Sequence, residues 1–343
     1  MFDHASVFVL VLLFGGGIAV VWIAGHALST TTDALDTRFG FGQALGGAIF
    51  LAIATNLPEI AITVAASLAA QFDLAIGNIL GGIAIQTVVL AVLDFVVMRR
   101  KNAPLTTAAA SLVIVIQACG LAAILVIAIQ GTLMPQTAIW MHLTPATVAI
   151  ALVWVATLLL SNKASEGLPW TTTSIERRHE AGAAATKPLG VTIAIFAVAA
   201  LATLGAGWVL EQTSNALAMQ WHMTGALFGA TILAAATSLP ELTTGVTAVK
   251  MGDYELAISD IVGGNAFLPV LFLLATLISG KAVLPNAHKT DVYLAGLGIV
   301  LTMIYAYGAV FRSKRRFLGM GLDSAAVVIV YVVGVVGLLE FPQ

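Results

Sequence analysis

Charge is what this sequence has least of. Asp, Glu, Lys and Arg together make up 9% of its 343 residues, against 59% hydrophobic residues. A water-soluble domain carries roughly a quarter charged residues, so that class is excluded. There is one cysteine, Cys119, set in an apolar stretch, so no internal disulfide can form and an inert packing role is expected. No Lys or Arg falls in the middle of any long apolar run, and no Asp-rich, ion-binding loop pattern occurs. Nothing basic enough to suggest a nucleic-acid partner is present; the net charge is −2.

What is present is apolar length. The mean hydropathy is +1.01, and runs of about 20 apolar residues, the length that crosses a bilayer, recur along the chain. They predict ten spanning helices, over 6–29, 40–70, 74–98, 105–129, 144–162, 189–211, 223–250, 254–279, 290–311 and 322–340. The first of them, Val7 to Leu28, is too long for a signal-peptide core and has no basic residue before it, so it reads as a span and not a cleaved leader. Thirteen of the 15 Lys and Arg lie in loops after odd-numbered segments; Lys281 and Lys289 are the exceptions. The positive-inside tendency then makes those loops cytoplasmic and puts both termini outside. The polar stretch 163–188 reads as a cytoplasmic linker, with an ion-sensing loop as the alternative.

Ala54-Thr55-Asn56-Leu57-Pro58-Glu59 returns 182 positions later as Ala236-Thr237-Ser238-Leu239-Pro240-Glu241. Shifted by that amount, residues 44–82 fall on 226–264 without a gap, with about half the positions identical. Five predicted helices separate the copies, an odd number, so the second copy enters the membrane upside down. The expected fold is therefore an all-α integral membrane protein of ten helices in two inverted five-helix repeats. Residues 1–162 form the first (core about 42–95) and 189–343 the second (core about 224–277). Such repeats build secondary transporters, with the substrate near the midplane.

The chemistry of the motif fits a cation. A carboxylate at mid-span costs at least about 2.5–3.5 kcal/mol on insertion scales and marks a functional site by default. Pro58 and Pro240 lack an N–H and free a carbonyl one turn back, which a membrane tolerates only where it lines a cavity or meets a partner. Thr55, Asn56 and Glu59, with Thr237, Ser238 and Glu241, all offer the oxygen that hard cations require. Without a basic partner the two glutamates need a cation or protons; two permanently protonated acids are the alternative. Counting from the tight turn near residue 72 places Ile85 or Gln86 level with Glu59, and Phe267 or Leu268 level with Glu241, which makes Gln86 a plausible midplane ligand and leaves its counterpart Leu268 apolar. Asn78 and Asp260 lie eight residues nearer their turns, about 12 Å away at 1.5 Å per residue. Asp260 is then either an acid on an access path or a cap on a helix break at Gly263-Gly264. Asn265 is placed to bond across helices or to line the site. The glycine runs Gly15-Gly16-Gly17 and Gly205-Ala206-Gly207 would let the first and sixth helices slide, or merely pack. His142 and His222 fall at span edges, where an interfacial position is expected.

These motifs resemble those of the cation/Ca²⁺ exchanger superfamily, the sodium/calcium exchanger branch in particular. The resemblance rests on the two Thr-x-Leu-Pro-Glu segments and on Gly77-Asn78-Ile79-Leu80-Gly81-Gly82 and Ser259-Asp260-Ile261-Val262-Gly263-Gly264-Asn265. It implies an antiporter with Thr55, Asn56, Glu59, Thr237, Ser238 and Glu241 as ligands, joined by backbone carbonyls around Ala52 and Ala234. The chain departs from the pattern at Gly82 and Gly264, which stand where the family has serines, and at Gln86 and Leu268, where it has an amide or an acid. Several sodium ligands are thereby lost, which argues against Na⁺ coupling and favours a simpler site that exchanges a cation for protons or handles a different cation. The expected function is the antiport of a divalent cation, Ca²⁺ above all, against competing H⁺ or Na⁺ at Glu59 and Glu241. A monovalent Na⁺/H⁺ exchanger is the transport alternative; an intramembrane enzyme using paired carboxylates and a non-transporting sensor are the others. The expected partners are inorganic cations and the lipid bilayer, with no resident cofactor, no nucleic acid and no indicated oligomeric state. Short loops suit a prokaryotic inner membrane.

Overall fold

The computed structural model describes residues 5–39, 53–96, 98, 103–109, 111–165 and 188–339. Among them eight helical stretches are long and apolar enough to cross a membrane, and two shorter apolar helices, Leu57–Leu68 and Leu322–Leu338, accompany them.

Helix α1 spans Val7–Phe39, ten residues beyond its predicted end. The polar run that suggested a stop does not break it: the Thr30 and Thr31 hydroxyls donate to carbonyls of His26, Ala27 and Leu28 within the same helix. After residues 53–55, which are helical, come α2 (Leu57–Leu68) and α3 (Phe72–Val96), joined by a tight turn at Ala69 to Gln71. The predicted fourth helix is split. A short α4 (Leu105–Ala109) precedes α5 (Leu112–Thr132), whose first turn is capped by the Ser111 hydroxyl accepting from the Ile114 N–H. Then come α6 (Pro145–Ser165) and α7 (Leu189–Gln220), the latter nine residues longer than predicted. The predicted linker lies almost wholly outside the described residues.

The second motif sits in a composite element. It runs from α8 (Gly225–Phe228) through a π-helical turn (Gly229–Leu233) and α9 (Ala234–Thr237) to α10 (Leu239–Met251). Gly252, at φ +84°, ends it and turns the chain into α11 (Tyr254–Phe267). A 3₁₀ turn containing Pro269 (Leu268–Val270) then leads to α12 (Leu271–Ser279). Helix α13 (Lys289–Phe311), a ribbon of two-residue strands (β1 Arg316–Phe317, β2 Met320–Gly321) and α14 (Leu322–Leu339) are the last of the described elements. Leu318 and Gly319, both at positive φ, make the turn of the ribbon.

Most of α3, α8 to α10, α11 and α12 is buried, while α1, α6 and α7 expose most of their apolar surface, as helices facing lipid must. The main core joins Ile76, Ile83 and Leu90 of α3 with Leu121 and Leu125 of α5, Ile258 of α11, and Leu294 and Leu301 of α13. A second cluster packs Leu10, Phe14 and Val21 of α1 against Leu210 and Leu217 of α7 and Phe228 of α8. At one end of the bundle the buried Asp94 carboxylate ties three elements together. It accepts from the Leu105 N–H at 2.9 Å and from the Gly321 N–H at 2.7 Å. Asp323 accepts from the Thr106 hydroxyl beside it.

Candidate ion site

Both copies of the motif interrupt their helices at the same residue. Asn56 (φ −89°, ψ 15°) and Ser238 (φ −82°, ψ 2°) adopt nearly the same bridge-region backbone. α2 and α10 then begin at Leu57 and Leu239, with proline in the first turn, where a missing N–H costs nothing. Each glutamate thus stands in the first turn of a new helix, where the partial positive charge of the N-terminus favours an anion.

The two carboxylates are buried, Glu59 at 0% and Glu241 at 1% exposure. Glu59 Oε1 accepts from Gln86 Nε2 at 3.4 Å, a long bond, and the Thr237 side chain of the other repeat lies within hydrogen-bonding reach of the same carboxylate. Glu59 Oε2 and both oxygens of Glu241 are buried with no hydrogen-bond partner among the described residues. Burying such groups without partners costs several kcal/mol each. A cation or protons must offset that.

Thr55, Asn56, Thr237 and Ser238 are all buried beside the glutamates in sequence. The Ser238 and Thr237 hydroxyls donate to the Ala234 carbonyl at 2.7 and 3.3 Å, which leaves their lone pairs available to a cation. Gln86 is level with Glu59, as the turn geometry predicts. Leu268 is fully buried against the space above Gly82. Asn78 is fully buried, and neither of its amide atoms finds a partner among the described residues; its backbone abuts Gly229 of the π turn. Asp260 accepts from the Thr244 hydroxyl at 2.7 Å. It caps no break at Gly263-Gly264, because α11 runs unbroken to Phe267. Asn265 bonds across helices, donating to the Ile83 carbonyl and the Thr87 hydroxyl. Ala52 lies outside the described residues. Among the described residues no three His, Cys, Asp or Glu side chains converge as a metal cluster. Cys119 is exposed on α5 instead of packed inside, and His142 and His222 sit in turns at helix ends.

The sequence reading named Gly207 only as part of a glycine run and did not pair it with Gly25. A Cβ at Gly25 of α1 would lie 2.9 Å from the Pro240 ring, and a Cβ at Gly207 of α7 would lie 3.0 Å from the Pro58 carbonyl oxygen. These glycines are themselves 182 residues apart, so each half's leading helix crosses the other half's motif at equivalent points. The signal was there, outside the stretch of strong identity. Of the two glycine runs only Gly17 and Gly207 make close contacts; Gly15, Gly16 and Gly205 face open space.

Known proteins resemble the chain along nearly its whole length. Residues 9–161 and 191–339 match the profile of the family described as sodium/calcium exchanger protein. "Inner membrane protein YrbG" of Escherichia coli (strain K12) is 26% identical over 320 residues, covering 91% of each chain. Among solved structures, the H⁺/Ca²⁺ exchanger CAX superposes with a TM-score of 0.73 at 14% identity, over 100% of this chain and 84% of that one. The sodium-calcium exchanger NCX_Mj does so at 0.62 and 15% identity, over 98% of this chain and 100% of its own. With the family profile covering both halves, the chain belongs to the sodium/calcium exchanger protein family of membrane transporters, and is not an enzyme.

Proposed function

We propose that this protein is a secondary antiporter that exchanges a divalent cation, Ca²⁺, for H⁺ or Na⁺ by alternating access. The observation that carries the reading is the buried pair Glu59 and Glu241, one from each copy of the motif, with carboxylate oxygens left open toward a cation. Two carboxylates match the charge of one divalent ion. Thr55, Asn56, Thr237, Ser238, Gln86 and the carbonyl near Ala234 add the all-oxygen coordination that Ca²⁺ prefers. Because the same oxygens bind protons, the pair cannot hold both loads, and that exclusivity couples the two fluxes.

The ten-helix inverted-repeat plan, with both termini outside and 163–188 cytoplasmic, belongs to this reading. Contacts between equivalent residues support it: Asn265 donates to the carbonyl of Ile83, its own counterpart 182 positions earlier, and Gly25 and Gly207 cross the opposite prolines. Residues touching their repeat equivalents are what a pseudo-two-fold axis produces. α1 and α7, packed on one another and each laid over the other half's motif, are the elements placed to slide as a pair. The printed name of the Escherichia coli relative supports an inner-membrane location.

A Na⁺/H⁺ exchanger is the second reading. The absence of serine at Gly82 and Gly264 counts against a site rich in sodium ligands. Uptake of ⁴⁵Ca²⁺ into vesicles bearing imposed proton or sodium gradients tests the assignment. Gradient-driven accumulation is expected; ²²Na⁺ movement without any ⁴⁵Ca²⁺ movement would establish the monovalent reading instead.

A further inference from the structure

Among the buried acids outside the exchange site is Glu211 on α7. Its position follows from the helix. Gly207, Glu211 and Ser214 are spaced i, i+4, i+7 and so lie on one face. That face looks onto α2, because the missing side chain of Gly207 leaves room for Ala61 and the Pro58 carbonyl. Pro58 adjoins Glu59, and Glu211 stands one turn further along, about 6 Å at 1.5 Å per residue. The far end of this stripe is the end of the bundle where α2 turns into α3. There the α7–α8 junction brings Gly225 beside Asp73, and Trp221 against Phe228.

Glu211 and Ser214 are both fully buried. Glu211 Oε2 accepts from Gln212 Nε2 at 2.6 Å, but Oε1 and the Ser214 hydroxyl have no partner among the described residues.

We propose that Glu211, with Ser214, forms a second, outlying station for a hard cation on the route between that end of the bundle and the Glu59–Glu241 site. The inference rests on the exchanger reading above. A carboxylate and a hydroxyl one turn apart offer a partly dehydrated Ca²⁺ or Na⁺ two ligands before it reaches the central pair. The station is one-sided. On α1 the equivalent stripe has Gly25 and Thr32, whose hydroxyl is likewise buried without a partner among the described residues, but a serine stands at position 29 where α7 has Glu211.

Labelling by an apolar carbodiimide, which reacts with protonated carboxyls, tests this on the intact protein in lipid, read by peptide mass spectrometry. The Glu211 peptide should label in an organic-cation buffer. Millimolar Ca²⁺ should slow that labelling about fivefold, the effect of ligand at four times its dissociation constant. The same protection should persist in a Glu59→Gln/Glu241→Gln double variant, which lacks the central site. No labelling of Glu211, labelling indifferent to Ca²⁺ and Na⁺, or protection lost in the double variant would each overturn the station. The Glu59 and Glu241 peptides, read in the same wild-type sample, report separately on the central site. Protection at Glu211 without protection there would sink the exchanger reading and leave the station standing.

Discussion

Glu59 and Glu241 share a backbone environment, the first turn of a helix restarted after a bridge-region residue, and both are closed off from water. They differ in partners. Gln86 reaches Glu59, whereas Leu268, equivalent to Gln86, offers Glu241 nothing polar. Glu59→Gln and Glu241→Gln should each remove cation exchange while leaving the folded protein in the membrane, since the amide keeps the shape and loses the charge. Transport assayed against the amount of monodisperse protein checks this, and retained exchange in both variants would dismiss the proposed site. Both glutamates were legible in the sequence because a carboxylate in an apolar span is costly and each sits in a copied motif. Glu211 was not, because it falls at the edge of a predicted span, where an acid looks solvated until the extra length of α7 buries it.

Among the elements, α1 and α7 carry the contacts that sequence periodicity could not show. Gly207 meets Ala61 and the Pro58 carbonyl, while Gly205, two residues away, meets nothing within 4 Å. Gly207→Leu should therefore lower stability by about 1–3 kcal/mol, the usual cost of forcing atoms into a filled interface, and slow exchange. Gly205→Leu should do neither; thermal melting in detergent and transport rates distinguish the two. A second element-level prediction concerns Asp94. Asp94→Ala leaves the Leu105 and Gly321 N–H groups without their acceptor, at about 1–3 kcal/mol for each buried donor. Melting temperature should fall, with exchange per folded molecule kept. Element existence was readable from apolar length alone, yet several boundaries were not. Threonine hydroxyls that bond back to their own helix carry α1 through a polar run and continue α7 at Thr213. The π turn at Gly229–Leu233 depends on packing against Gly77 and Asn78 of α3, which is a tertiary fact.

For the whole molecule, the account makes protons and the transported cation rivals for one buried pair of acids. A proton on either glutamate removes one of the two negative charges facing Ca²⁺, so the apparent Ca²⁺ affinity should fall as pH is lowered on the loading side. Raising Ca²⁺ should restore the rate. Initial uptake measured over a grid of pH and Ca²⁺ concentration checks this; a pH effect on the maximal rate with unchanged affinity would contradict it. The repeat was visible in the residues, and the meeting of its halves, at Ile83 with Asn265 and at the two glycine–proline crossings, appears only in three dimensions.

The central claim is that one ion is shared by a carboxylate from each half. Equilibrium ⁴⁵Ca²⁺ binding to purified protein tests it most directly. The account predicts one ion per chain in the wild type and none, at the same concentrations, in either Glu59→Gln or Glu241→Gln. Wild-type binding that survives in one of the single variants would contradict it.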